Sequence, residues 1–263
     1  AYRTAKGGWL SRRVRHFDFP GNTFAELPMR NLTRNPRRTV LTVLGIAAAV
    51  TVLVALLGMV DSFMKTIDRG EAETLGSTPN RAEIDLNGYY PLDGPEMQAI
   101  RAAASVDTIE PTLRVGSFLV TETDSFAAFI EFIDLDGGIW QPTLTDGTVD
   151  GTPGLVLTEA AAADLGVGVG DTVAVRHPVY RGDDTLGLAQ TELPVLATHP
   201  YPMRPVTYMD ISHSDIMGFD GLVNRAFAEP ATGATDGEMR RELFSLDAVA
   251  AVQPAAQNVQ LVR

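Results

Sequence analysis

The feature that most constrains this chain is an uninterrupted apolar stretch at residues 39–60, TVLTVLGIAAAVTVLVALLGMV. It contains no charged residue and no proline, and only threonine and glycine relieve its aliphatic side chains. As an α-helix these 22 residues would extend about 33 Å, enough to cross a hydrocarbon core about 30 Å thick. Helices of soluble proteins are rarely apolar on every face over such a length. The stretch therefore predicts a transmembrane helix.

Two other structures are compatible with an apolar stretch of this kind. A buried central helix of a large soluble domain remains open from the sequence alone. A secretory signal is disfavoured, because about 38 residues precede the stretch and no A-x-A-like cleavage site follows it.

Charge is distributed very unevenly along the chain, which carries a formal net charge of −12. Residues 1–60 hold nine Lys or Arg and two acidic residues, whereas residues 61–263 hold 12 basic and 31 acidic residues, a formal charge of −19. Lys and Arg are enriched on the cytoplasmic side of membrane helices, and Arg34, Arg37 and Arg38 directly precede the apolar stretch. We therefore expect an inner (cytoplasmic) membrane location, with the N-terminal side in the cytoplasm and residues 61–263 extracytoplasmic.

The acidic part of the chain restricts the classes of partner it can have. Its negative charge argues against nucleic-acid binding. The chain has no Cys, so packing and not disulfide bonds must hold the extracytoplasmic part together. About 200 residues are enough to bury a substantial core, as one domain or two lobes.

Residues 1–38 are predicted to form a basic cytoplasmic or interfacial segment with an elbow helix. Arginines and aromatic residues are interleaved near its start, which fits either a segment on anionic headgroups or a solvated loop. Asn22 or Thr23 is a candidate N-cap for a short helix that ends at Leu32. Pro36 suits the first turn of the long helix, where its missing N–H costs nothing.

Beyond the membrane, residues 61–79 are predicted to form a helical stalk. The sequence VDSFMKTIDRGEAETLG keeps helical propensity and apolar spacing to about Leu75. Gly76 and Pro79 are expected to end this helix.

Residues 80–263 are predicted to form an α+β, strand-rich domain with helices inserted between hairpins. The segments SVDTIEP, TLRVGSFLVTE and SFAAFIEFIDL predict separate strands of one antiparallel group. Trp140 is the expected anchor of a turn-rich loop, and Thr158 is expected to cap a helix that Gly166 stops. A later amphipathic helix is expected to bury three side chains: Met239, Leu243 and Leu246.

The sequence predicts no catalytic residue, no cofactor site and no metal site. None of the four histidines has a partner at metal-ligand spacing: His16, His177, His199 and His213. No G-x-S-x-G nucleophile motif is present. The run Asp134-Leu-Asp136-Gly137 does not continue as a Ca²⁺ loop and is better explained as a solvated turn.

The segment LPMRNLTRNPRRTVLTVLGIAAAVTVLVALLGMVDSF resembles the opening of the first transmembrane helix in FtsX/MacB-like permeases of ABC transporters. Its R-N-L-x-R-N-P-R-R-T entry and L-G-I-A turn carry the resemblance. Three later segments resemble the periplasmic core domain that this family inserts after that helix: IDLDGGIWQPTLTDG, LVLTEAAAADLGVGVGDTV and VTYMD…GLVNRAFAE…MRRELFSL. The resemblance covers the chain from about Pro28 to its end.

This resemblance implies a mechanical function. In this family a separate ATP-binding subunit hydrolyses ATP with Mg, and the permease helices transmit its closure to outer domains. Those domains export or extract lipoproteins or amphiphiles, or activate periplasmic partners. The implied partners are the ATP-binding subunit, a second permease copy or repeat, the lipid membrane, and an extracytoplasmic lipoprotein or adaptor. The chain itself is expected to be no enzyme and to hold no cofactor.

Small residues in the apolar stretch are expected to let a partner helix approach closely. Gly45 and Ala49 form a small-xxx-small pair, and Gly58 is a further small position. Ordinary small residues that face lipid are the alternative.

The chain departs from a complete permease of this family, which has at least four transmembrane helices per repeat and an ATPase-docking loop after the second. We therefore expect a segment of a longer membrane protein, with the second repeat of a two-repeat permease as one interpretation. A single-pass membrane-anchored ligand-binding or adhesion module is the alternative function. A membrane-anchored hydrolase is a third hypothesis, which requires a pocket with perturbed titratable groups.

Overall fold

The computed structural model describes residues 36–76, 78–121, 125–181, 185–202 and 205–256. The chain divides into two units, Ala1–Phe63 and Met64–Arg263. The predicted elbow helix that ends at Leu32 lies outside the described residues, as does Arg34.

The apolar stretch lies within one long helix, α1, which spans Pro36–Leu75. Pro36 is its first residue and Leu75 its last, as the sequence predicted. The most apolar part of α1 is fully exposed, with none of its residues buried within the protein. Among the described residues α1 is the one helix long and apolar enough to cross a membrane.

The rest of the described chain is rich in strands, and its elements follow in this order. They are β1 (Ala82–Pro91), α2 (Pro95–Arg101), β2 (Val106–Val120), β3 (Ser125–Ile133), β4 (Asp146–Gly147), β5 (Leu155–Thr158), α3 (Glu159–Leu165), β6 (Thr172–Tyr180), β7 (Leu186–His199), β8 (Val206–Asp210), a 3-10 helix (Ile211–Met217), β9 (Leu222–Pro230), α4 (Asp236–Leu243) and β10 (Val249–Pro254). This content confirms the predicted α+β class.

A split βαβ lobe is formed by four strands and two helices: β1, β2, β9, β10, α2 and α4. Its sheet has the order β10-β1-β9-β2, and every neighbouring pair is antiparallel. Helices α2 and α4 connect β1 to β2 and β9 to β10, which is the ferredoxin-like arrangement. Met97 and Ile100 of α2 and Met239 and Leu243 of α4 are fully buried in the core of this lobe.

The strands inserted between β2 and β9 close into a six-stranded barrel. The pairing runs β2-β3-β8-β5-β7-β6 and returns from β6 to β2. Inward-facing residues alternate along each strand, as in Leu113, Val115 and Leu119 of β2, and they form one large apolar core. β2 belongs to both lobes, because its first half pairs with β9 and its second half with β3 and β6.

Two details of the predicted strands are wrong. The segments SVDTIEP and TLRVGSFLVTE form one strand, β2, and not two. Pro111 is tolerated inside it because β2 has a single paired neighbour there, β9. The sheet is also mixed, since β3 pairs with β8 and β5 with β7 in parallel. Parallel neighbours require distant segments, which local alternation cannot reveal.

The predicted helix ends are confirmed. The Thr158 hydroxyl accepts the Ala161 N–H at 3.0 Å, and Gly166 ends α3 in the left-handed conformation with φ 66°. Met239 and Leu243 point into the core of the split βαβ lobe, and Leu246 packs against that core from beyond the end of α4.

Candidate functional site at the end of the long helix

The C-terminal end of α1 is fixed to a loop that follows β3. Glu73 is 4% exposed although it lies near the end of a mostly exposed helix. Its carboxylate accepts the Thr143 N–H at 2.8 Å, and its backbone carbonyl accepts the Trp140 indole N–H at 3.0 Å. Just beyond the helix, the Thr78 hydroxyl donates to the Ile139 carbonyl at 2.7 Å. Three hydrogen bonds therefore join the helix end to residues 139–143.

Trp140 is the apolar centre of this contact, as the sequence predicted for its loop. It is 3% exposed, and its ring lies 5.3 Å from the ring of Tyr208 and 6.2 Å from that of Phe227. Gly76 turns the chain beside it with φ 50°, and a Cβ at this position would lie 2.8 Å from the indole. Gly76 is thus required both by its backbone conformation and by the close approach of Trp140.

Arg81 closes the helix end from the other side. Its guanidinium donates to the carbonyl of Leu75 at 3.2 Å, which satisfies one of the last carbonyls of α1 and places a positive charge at the negative end of the helix. The same group lies over the rings of Trp140 and Phe227, 5.0 and 5.3 Å from their centroids. Burial lowers the pKa of Arg81, and the charge of Glu83 opposes that shift. We call Glu73, Gly76, Arg81, Trp140 and Thr143 the helix-end cluster.

Two carboxylates, one buried and one half-buried, accept hydrogen bonds from the backbone of the loop that carries Trp140. Glu110 accepts the N–H groups of Ile139 and Asp134, and Asp210 accepts the Leu135 N–H at 3.0 Å. Burial raises the pKa of Glu110, and the N–H groups that it accepts oppose that shift. Because these backbone donors occupy Glu110, its structural role is to order the loop.

A buried charge network joins the two lobes next to this site. Arg225 of β9 forms ion pairs with Glu83 and Asp85 of β1 and with Glu131 of β3. Arg114 pairs with the same Glu131 at 2.6 Å. The side chains of Arg225 and Glu131 are each 7% exposed. Burial would lower the pKa of Arg225, but the surrounding carboxylates outweigh it and raise that pKa.

The predicted membrane-orienting residues have different positions in the structure. Arg37 and Arg38 are exposed in the first turn of α1, and Arg34 lies outside the described residues. Positive charges are unfavourable at a helix N-terminus, so helix stability does not account for these two arginines. Their membrane-orienting role remains a prediction.

The predicted helix-packing residues do not share one face. Gly45 and Ala49 lie one turn apart on the same side of α1, whereas Gly58 lies roughly 220° around the axis from Gly45 at about 100° per residue. No atom lies within 4 Å of a Cβ built at Gly45 or at Gly58. Nothing in the described chain therefore requires glycine at either position.

Glu73 and Arg81 were missed by the sequence analysis. Glu73 belongs to a stalk sequence with several acidic residues, and only its burial distinguishes it from them. Arg81 precedes the first strand, where a basic residue is unremarkable. Within the described part of the chain, no group of His, Asp or Glu side chains could hold a metal ion.

Residues 39–202, more than half of the chain, match the MacB-like periplasmic core domain family. The chain therefore belongs to the family of MacB-like periplasmic core domains, within the ABC transporter permeases. The predicted resemblance is confirmed, and the protein is a membrane protein with one membrane-spanning helix in its described part and an extracytoplasmic segment.

Solved structures of similar fold include two extracytoplasmic domains. The periplasmic region of MacB from Actinobacillus actinomycetemcomitans is 13% identical, with a TM-score of 0.44, over 73% of this chain and 95% of that one. The extracellular domain of the noncanonic ABC-type transporter YknZ from Gram-positive bacteria is 12% identical, with a TM-score of 0.43, over 65% of this chain and 98% of that one. No curated protein sequence matches the chain.

Removal of the Arg225 guanidinium should strongly destabilise the fold. Arg225→Ala leaves Glu83, Asp85 and Glu131 without their shared partner, and breaking a buried ion pair in this way costs about 3–5 kcal/mol. Chemical denaturation of the detergent-solubilised chain measures this loss. Arg176→Ala, at an exposed arginine, is the control and should change the free energy of unfolding by less than about 0.5 kcal/mol. Equal effects of the two substitutions would contradict the network.

His199 should make the fold sensitive to acid. Burial lowers its pKa from 6.5 to about 4, so the unfolded state takes up a proton at higher pH than the folded state. The stabilisation from neutral His199 is present above about pH 6.5 and is lost as the pH falls toward 4, by about 3 kcal/mol in total. The free energy of unfolding should therefore fall more steeply over this range in the unmodified chain than in His199→Gln. If the free energy of unfolding falls equally steeply with pH in both proteins, the account of His199 is wrong.

Proposed function

We propose that the chain is the segment of an ABC permease that passes motion from the membrane to an extracytoplasmic domain. In this proposal a partner ATP-binding subunit hydrolyses ATP in the cytoplasm, and α1 displaces the strand-rich domain in response. The observation that carries the proposal is the helix-end cluster. It joins the last turn of α1 to the domain by a buried carboxylate, a buried indole and a capping arginine.

The chemistry of the helix end supports a mechanical coupling over a simple tether. A tether needs only a polar, solvated linker, because its purpose is to keep the domain near the membrane. Here two residues separate Leu75 from Thr78, and both ends of that short segment bond to the domain. A single-pass anchored binding module has no need of this arrangement, so the structure favours the permease function over that alternative.

The proposal includes the membrane orientation and the partners. Arg37 and Arg38 at the start of α1 support a cytoplasmic N-terminal side in the inner membrane. The open space at Gly45 and the small side chain of Ala49 support close packing with a helix of a second permease copy or repeat. Export or extraction of lipoproteins or amphiphiles, or activation of a periplasmic partner, is the output that the family membership supports.

Disruption of the helix-end cluster should uncouple the domain from ATP hydrolysis. In the reconstituted full complex, a spin label at exposed Val169 of each permease copy should report an ATP-dependent change of distance. Trp140→Ala and Glu73→Ala should reduce that change while the ATPase rate stays within about twofold, because the cluster is remote from any nucleotide. Leu144→Ala, in the same loop but 38% exposed, is the matched control and should keep the full response.

A folding control separates a loss of coupling from a loss of structure. Each variant must first retain the unfolding transition of the unmodified chain. If Trp140→Ala does not fold, the smaller change Glu73→Ala still tests the coupling. An unchanged ATP-dependent distance in both folded variants would contradict the proposed transmission.

A larger residue at Gly45 should impair assembly without unfolding the domain. Gly45→Leu meets no atom of the described chain, so any defect must come from a partner helix that approaches closely. We expect loss of the permease complex on size-exclusion chromatography, and near-normal assembly for Gly45→Ala. If Gly45→Leu assembles and hydrolyses ATP normally, this face contacts lipid.

A further inference from the structure

One side of α1 is half-buried for two turns before the helix ends. Phe63 and Met64 are exposed, but from Ile67 onward the same side of the helix is half-buried at Gly70 and Thr74. These positions follow one another at intervals of three or four residues, which places them on one face of the helix. The half-buried face therefore extends about 10 Å along α1, and the helix-end cluster lies at its far end.

On this face the backbone of Gly70 is approached closely by Pro202, which lies between β7 and β8. A Cβ built at Gly70 would lie 3.1 Å from Cγ and 3.5 Å from Cδ of Pro202. The first distance is shorter than an ordinary van der Waals contact, so a side chain at this position would press on the proline ring. Glycine weakens the interior of a helix, so helix formation does not explain it here. The contact with Pro202 does.

The segment that carries Pro202 has little conformational freedom. It follows His199, the last residue of β7, and the rings of Pro200 and Pro202 fix φ at two of its residues. Between them, the ring of Tyr201 stacks on that of His199, with 6.5 Å between the ring centroids and 23° between the planes. His199 is fully buried. A push on Pro202 should therefore reach the end of β7 and not be absorbed by the loop.

A helix that is held only at its end can tilt about that end. The helix-end cluster fixes the position of the last turn of α1, but one point of attachment does not fix a direction. Gly70 lies six residues before Gly76, which is about 9 Å along the helix axis. A second contact at this distance opposes tilt of α1 toward Pro202.

We propose that Gly70 is a positioning residue, whose contact with Pro202 sets the direction of α1 on the domain. Sideways displacement of α1 then reaches the barrel through β7, whereas displacement along its axis acts through Trp140 on the loop after β3. This consequence rests on the function proposed above. The contact itself is tested without ATP or a partner subunit, so its failure is distinguishable from failure of the coupling.

The test adds a side chain at Gly70 and measures the direction of α1. The chain has no Cys, so spin labels at Met64→Cys and Val169→Cys, both exposed positions, report one distance between α1 and the barrel. In the detergent-solubilised chain, Gly70→Leu should push α1 away from Pro202 and shift that distance. A displacement of about 2 Å at Gly70 becomes about 4 Å at Met64, because Met64 lies twice as far from Gly76 along the helix.

A second distance and two further variants complete the test. Labels at Met64→Cys and Phe244→Cys, on the other lobe, detect a tilt that leaves the first distance unchanged. Ala72→Leu adds the same side chain to an exposed position in the same turns of α1, so it should shift neither distance. Pro202→Gly removes the ring that a Cβ at Gly70 would meet, so it should reverse the shift caused by Gly70→Leu.

Pro202→Gly by itself tests the contact if Gly70→Leu does not fold. Loss of the proline ring should broaden both distance distributions, because α1 is then held only by the helix-end cluster. A distribution as narrow as that of the unmodified chain would overturn the proposal. So would unchanged distances in folded Gly70→Leu, or an equal shift in Ala72→Leu. Absence of ATP-dependent movement in the unmodified complex would instead contradict the coupling.

Discussion

The last carbonyl groups of an α-helix have no partner within the helix, and in this protein they are buried against a domain. The indole N–H of Trp140 and the guanidinium of Arg81 satisfy two of them, the carbonyls of Glu73 and Leu75. Glu73 adds a carboxylate that binds the Thr143 backbone. The position of the strand-rich domain on the final turn of α1 depends on these bonds. A solvated helix end would leave that position undetermined, which is why this cluster carries the proposed coupling.

From the helix-end cluster, a continuous series of contacts leads into both lobes. Glu110, which orders the Trp140 loop, lies on β2, and β2 continues from the split βαβ lobe into the wall of the barrel. Arg225 fixes the same two lobes to each other through Glu83, Asp85 and Glu131.

Much of this fold was predictable from local sequence, and the site was not. Local patterns predicted three features correctly. They are the helix at the apolar residues 39–60, the N-cap at Thr158 and the helix end at Gly166. Each depends only on neighbouring residues in the sequence. The parallel pairing of β3 with β8 and the closure of β6 on β2 join distant segments that no local pattern records. Glu73 and Trp140 lie far apart in the chain, and nothing in a sequence of many acidic residues shows that this glutamate is buried.

The helix-end cluster holds the end of α1 in one position on the domain. The chain contains no Cys, so Met64→Cys and Val169→Cys, both at exposed positions, would provide a unique pair of spin-label sites. Double electron–electron resonance on the detergent-solubilised chain should give a single narrow distance distribution, which Trp140→Ala should broaden. A broad or multiply peaked distribution with the helix-end cluster intact would contradict the account.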